Sequence, residues 1–97
     1  MTQATGFLEA EGYVPIFNAV DAMAKSTEVT ISGVVKLGGG LVAVAVVGDL
    51  ATVEEAIALG EAAIASLGPA KYRSIVFANP CAPVAALAAN PKVLVSG

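Results

Sequence analysis

Few residues in this chain have the type and spacing for chemistry. Gly38-x-Gly40-x-x-Ala43 has the glycine spacing of a dinucleotide-binding turn. That motif works by opening a helix whose N-terminus receives a pyrophosphate, whereas the run that follows here, Leu41-Val-Ala-Val-Ala-Val-Val47, reads as a strand. No cofactor is expected there. Glu9 and Glu11 fall on one face of an alternating segment and have the form of a carboxylate pair, but such pairs more often make a solvated or interface face than a catalytic one. Cys81, the single cysteine, stands between Pro80 and Pro83 with no adjacent base to lower its pKa, and reads as a small buried filler. The chain has no histidine, so no Ser-His-Asp or Cys-His arrangement can be built, and a zinc site would lack its usual ligands. Catalysis is not the expected role.

What remains is Lys36-Leu37-Gly38-Gly39-Gly40, where two strand-like runs, Val29 to Val35 and Leu41 to Val47, meet across consecutive glycines. The turn has no side chains, takes φ > 0 freely, and offers bare peptide N–H and C=O groups to whatever lies in front of it. A loose, flexible hairpin is the plain alternative. Lys36 beside it, and Lys25 at a helix end, have the plain reading of solvated charges.

The elements that would hold this turn follow from periodicity. Ala4 to Gly12 alternates as a first strand, with Ala4, Gly6, Leu8 and Ala10 on one face. Pro15 sits where a first helical residue would, and Ile16, Ala19, Val20 and Met23 follow as a buried stripe, with Asn18, Asp21, Ala22 and Lys25 outward. Asp21 and Lys25 have the spacing of a weak helix pair. After the hairpin, Thr52-Val-Glu-Glu55 reads as a capping box opening a second helix, whose stripe Val53, Ala56, Ile57, Gly60, Ile64 and Leu67 runs to Gly68-Pro69. Lys71 to Ala78 alternates as a fourth strand, Val84 to Ala89 suits a short helix, and residues 91–97 form a tail with apolar Val93 to Val95. The order βαββαβ predicts a ferredoxin-like α+β sandwich with both long helices on one sheet face and a short extra C-terminal helix. One domain over 1–97 is expected, with its core at about 4–90.

The 97 residues are 57% hydrophobic and 13% charged, against roughly 25% charged in an ordinary domain. That is too little charge to clothe a monomer. The apolar run from Leu41 to Val47 is far short of the roughly 20 residues of a membrane-spanning helix, so the excess points to self-association rather than to a membrane. A net charge of −3 with five dispersed basic residues argues against nucleic acid as a partner. One cysteine and no visible secretory signal fit a reducing cytoplasm.

Taken in order, four segments resemble the bacterial microcompartment shell-protein family in its single-domain hexameric form. Leu8-Glu9-Ala10-Glu11-Gly12 is similar to its strand-one E-x-x-G segment, Asp21-Ala22-Met23-Ala24-Lys25 to its D-A-M-x-K, Lys36-Leu37-Gly38-Gly39-Gly40 to its pore loop, and Val46-Val47-Gly48-Asp49 to its strand-three end. The resemblance spans about Ala4 to Pro83. It implies a homohexameric tile whose glycine turns converge on a central pore, passing small metabolites, and whose edges meet other shell proteins, whether hexamers, trimers or pentamers. Gly38, Gly39 and Gly40 would line that pore with Gly39 at its narrowest ring, Lys36 would stand near one mouth, and Lys25 would lie at the tile edge. Asn79-Pro80-Cys81 stands where the family commonly has R-P-H, so Asn79 replaces the arginine that would assist Lys25. Val47 replaces a common arginine. From the residues alone, a ferredoxin-like oligomer that closes its turn over a small regulatory ligand between subunits is the alternative.

Overall fold

Residues 3–90 are described by the structure, a computed structural model, and the tail at 91–97 lies outside the described residues. The elements are β1 (Ala4–Glu11), α1 (Tyr13–Ser26), β2 (Thr30–Gly38), β3 (Leu41–Gly48), α2 (Leu50–Ala65), β4 (Tyr72–Phe77) and α3 (Ala82–Ala89). The four strands form one antiparallel sheet in the order β2-β3-β1-β4, the ferredoxin-like arrangement that the element order predicts. β1 is central, registered with β3 from Ala4↔Gly48 to Glu11↔Leu41 and with β4 through Leu8↔Ser74 and Glu9↔Arg73.

Strand alternation splits the sheet into two faces. On one, Leu8, Ala10, Val42, Val44 and Val46 join Ile16, Ala19 and Met23 of α1 and Val53, Ala56, Ile57 and Ile64 of α2 in a single buried core. Gly60 is what brings the helices this close: a Cβ there would lie 2.8 Å from Leu8 Cδ2 and 3.2 Å from Met23 Sδ. Asn18, expected to face outward, is half-buried, and its Nδ2 donates to the Ala63 carbonyl at 2.9 Å, a bridge from α1 to α2. The helical period gives the stripe but not the neighbour, so this cross-helix contact is visible only once α2 is in place. On the other face Ala43, Ala45 and Val35 are buried. α3 contacts β3 and β1, and its Ala88 is buried yet outside the helix-side core, which puts α3 on this second face. Phe7 and Phe77 meet edge to face there, with ring centroids 6.2 Å apart. The buried Thr5 hydroxyl has no hydrogen-bond partner among the described residues.

Several boundaries differ from the sequence expectation. Helix α1 opens at Tyr13 behind Gly12, so Pro15 is the third helical residue and not the first; proline is accommodated because the first turn's N–H groups have no intrahelical acceptor. At its other end the Thr27 N–H and hydroxyl both donate to the Met23 carbonyl, at 3.0 and 2.7 Å. The Thr52–Glu55 capping box is not formed. Asp49 caps α2 instead, accepting from the Thr52 N–H at 2.9 Å and from the Thr52 hydroxyl at 2.8 Å, which starts the helix at Leu50 and leaves no acid in its first turn. α2 also ends at Ala65, so Leu67 falls outside the stripe and is exposed. α3 begins at Ala82, with Pro83 in its first turn.

The Thr52 N–H, followed by the Thr52 hydroxyl, holds the Asp49 carboxyl below the usual carboxylate range. A carboxylate whose pKa is lower folded than unfolded stabilises the fold above its unfolded pKa, and that contribution disappears as the pH falls through the folded value. Asp49→Ala is therefore expected to lower the melting temperature by a few degrees at neutral pH, with the difference from the parent narrowing below about pH 4. Thermal melts of both proteins across that range check it; a gap unchanged at low pH would assign the effect to the uncharged cap alone.

Candidate functional site

The glycine turn is tighter than a three-residue loop. Pairing of β2 with β3 runs up to Gly38↔Leu41, which leaves Gly39 and Gly40 as the two central residues of the hairpin. Their φ values are 60° and 84°, and Gly38 has 102°. Two-residue hairpin turns whose twist matches the strands require positive φ at their central positions, and L-side chains rarely adopt it. Space is not the reason for glycine here, because a Cβ at any of the three would meet nothing within 4 Å. All three are exposed, so the turn projects from its protomer as bare backbone. The strand breaks register between Lys36 and Gly38, a bulge-like irregularity just before the turn.

One peptide group of the turn is not free. The Gly12 N–H donates to the Gly40 carbonyl at 2.8 Å, tying the turn to the junction between β1 and α1. Gly12 has φ 84° and ψ 161°, which turns its N–H away from the helix it precedes. Sequence reasoning placed Gly12 only as the end of a strand. A glycine followed directly by a helix without a Ser, Thr, Asp or Asn cap was the available signal that its backbone had another use.

Lys36 is exposed, registered with Val42, and has no ion-pair partner among the described residues. Lys25 lies in the last turn of α1, where a cation suits the helix dipole, and its Nζ is 2.9 Å from Asp21 Oδ2, the expected pair. Both side chains are mostly exposed, so the pair contributes little to stability. Lys25 shares a polar hollow of about 350 Å³ with Thr27, Glu28, Thr52 and Glu55, which puts the end of α1 beside the start of α2. Asn79 is exposed in the turn after β4, and no hydrogen bond joins it to Lys25. The structure thus gathers Lys36 with the glycines at one end of the hairpin and keeps Lys25 and Asn79 away from them.

Of the remaining candidates, Glu11 is registered with Leu41 beside the turn. Cys81 is exposed, not buried as expected, because it occupies the N-cap position of α3 outside the packed layer. Glu9 is half-buried and faces Arg73 across β1 and β4, and it lines one hollow with Glu11, Lys71 and Arg73 at the strand end. β3 follows Gly40 directly, so the dinucleotide reading fails for the reason given. Among the described residues no group of acidic, cysteine or histidine side chains is arranged to hold a metal ion, and no helix is long and apolar enough to cross a membrane.

The fold is thus a ferredoxin-like sandwich that projects a side-chain-free turn and, among the described residues, holds no metal-binding cluster. The model of the BMC domain matches residues 4–80. The bacterial microcompartment shell protein PduA of Citrobacter freundii is 41% identical over 74 residues, covering 76% of this chain and 80% of that one. The shell protein EutM of Escherichia coli K12 is 39% identical over 66 residues, 68% of each chain, and the carboxysome shell protein CcmK2 of Thermosynechococcus vestitus is 40% identical over 60 residues, 62% of this chain and 59% of that one. A crystal structure of a microcompartment protein from Desulfitobacterium hafniense superposes with a TM-score of 0.76 at 25% identity, over 89% of this chain and 48% of that longer one. The chain belongs to the bacterial microcompartment (BMC) domain family.

Proposed function

We propose that this chain is a structural shell protein of a bacterial microcompartment in the cytoplasm, with one BMC domain per copy. Six copies form a cyclic tile, and tiles meet one another and other shell proteins at their edges. The projecting glycine turn carries this reading: three exposed residues, all at positive φ, form a rim with no side chain to block it. Around a sixfold axis such rims enclose a pore whose width is set by backbone, with Gly39 at the narrowest ring. The likeness to the shell proteins PduA, EutM and CcmK2 supports the structural function. Lys25 at the far end of α1 and Asn79 are assigned to the tile edge.

A pore lined by glycine carries no side-chain charge of its own, so selectivity rests on ring width, peptide dipoles and the nearest ionisable residue, Lys36. One exposed lysine is weak, since unit charges 4 Å apart in water interact by about 1 kcal/mol. Symmetry-related copies around one axis add to a local potential that favours small polar and anionic metabolites. Negative-stain images of the purified protein should show hexagonal discs or sheets, and compact trimers would overturn the assignment. In assembled shells, Lys36→Glu is expected to slow entry of a small anionic metabolite several-fold while leaving a neutral one of equal size unchanged. Equal flux before and after would remove Lys36 from the pore mouth.

A further inference from the structure

The tip of the hairpin has no packing to hold it. Gly38, Gly39 and Gly40 are exposed, and beyond the adjoining residues no atom lies within 4 Å of where a Cβ would stand on any of them. The strand that leads into the tip is irregular between Lys36 and Gly38. Its position is therefore left to backbone hydrogen bonds, although glycine loses more conformational freedom on being fixed than any other residue. One of those bonds comes from outside the hairpin, the 2.8 Å bond from the Gly12 N–H to the Gly40 carbonyl. The register of β1 with β3 ends at Glu11↔Leu41 and would next oppose Gly12 to Gly40, so the bond adds a rung beyond the strands. Its donor stands on firm ground. β1 is paired on both sides, and α1, which starts at Tyr13, is anchored by buried Ile16, Ala19 and Met23.

We propose that Gly12 is the positioning residue of the pore: its N–H holds the glycine tip at one place in the ring, and with it the size limit for what passes. The inference rests on the ring reading above and adds the group that fixes the aperture. The backbone of Gly12 is what allows the bond. At φ 84° and ψ 161° it lies in a region that essentially only glycine populates, and it carries the chain from β1 into α1 with no capping side chain between them. A Cβ there would meet nothing within 4 Å, so backbone conformation and not crowding demands glycine. An L-residue at this position returns to negative φ. Because α1 is anchored in the core, the peptide that follows Glu11 then has to rotate, and its N–H leaves the Gly40 carbonyl. The tip is free to swing about the strand ends. A small solute passes at every position of the tip and gains little, whereas a solute near the limit passes only during wide excursions. Release of the tip therefore blurs the size limit and leaves the body of the ring as it was.

Entry of the neutral polyols glycerol, mannitol and sucrose into assembled shells tests this, because uncharged solutes are indifferent to Lys36. In Gly12→Ala shells the ratio of glycerol entry to that of the most restricted polyol should fall several-fold. Glycerol entry itself should not change, sedimentation should still show six copies, and hydrogen exchange across Gly38 to Leu41 should be about tenfold faster than in the parent. D-alanine at the same position, introduced by chemical synthesis, has the same atoms but favours positive φ, and should restore both the ratio and the slow exchange. A role in stability alone would lower the melting temperature and leave the ratio as it was. An unchanged ratio in intact rings thus overturns the inference and leaves the shell reading, whereas a parent that forms no ring takes both down. Equal entry of all three polyols into parent shells would leave no size limit for the bond to set, and overturns it too. If Gly12→Ala fails to fold or to close the ring, an ester in place of the Glu11–Gly12 amide replaces it, since that deletes the N–H and keeps glycine's freedom. Rings lost with the ester as well would give the bond to assembly and not to the aperture, which also overturns the proposal.

Discussion

Leu8→Ala is expected to destabilise the protomer by about 3–4 kcal/mol, within the range for truncating a fully buried leucine. Leu8 has no exposed surface and stands in the middle of β1, one of the two strands paired on both sides, in the core formed with α1 and α2. Its Cδ2 methyl occupies the space left by the missing side chain of Gly60, 2.8 Å from where a Cβ would be. Alanine removes that methyl from a site whose walls are backbone and branched side chains, so the cavity closes only in part and the loss exceeds simple transfer of the removed carbons to water. Urea unfolding with an unchanged m-value and a lowered midpoint is the check. A loss below about 1 kcal/mol would show that the helices can settle onto the sheet, and with it that the layer carrying the turn is softer than described.

Gly60→Val is the converse experiment, with an expected cost of about 2–3 kcal/mol. Alanine is a poor choice at this position because two effects of similar size oppose each other: glycine to alanine favours a helix by about 1 kcal/mol, whereas a Cβ at 2.8 Å from Leu8 forces a shift. Valine adds further atoms against Leu8, Met23 and Ala19 and lacks alanine's helix advantage, so overpacking decides the sign. Joined in one chain, Leu8→Ala and Gly60→Val should recover part of the combined loss, since valine fills volume that alanine vacates. Additive losses in that double variant would show that the two side chains do not share one space.

The order of elements was legible in the sequence because each carries its own pattern: alternation in β1, β2 and β4, an almost unbroken apolar run in β3, a helical stripe through Ile16, Ala19 and Met23, and another through Val53, Ala56, Ile57, Gly60 and Ile64. The turn was legible for a similar reason, since consecutive glycines between β-branched runs leave the backbone little else to form. Cap chemistry was less so. Thr52-Val-Glu-Glu55 reads as a helix start, but the cap is Asp49, because β3 ends at Gly48 and α2 follows at Leu50. The exposure of Cys81 was misjudged because burial belongs to a layer and not to a residue type.

By itself the sequence determined the architecture and the hairpin, since both follow from spacing along the chain. The tertiary structure decided what spacing cannot hold: that Asn18 reaches α2 and that Gly12 clamps the Gly40 carbonyl. Each joins residues from separate elements, and the distance between elements is fixed only when their side chains pack.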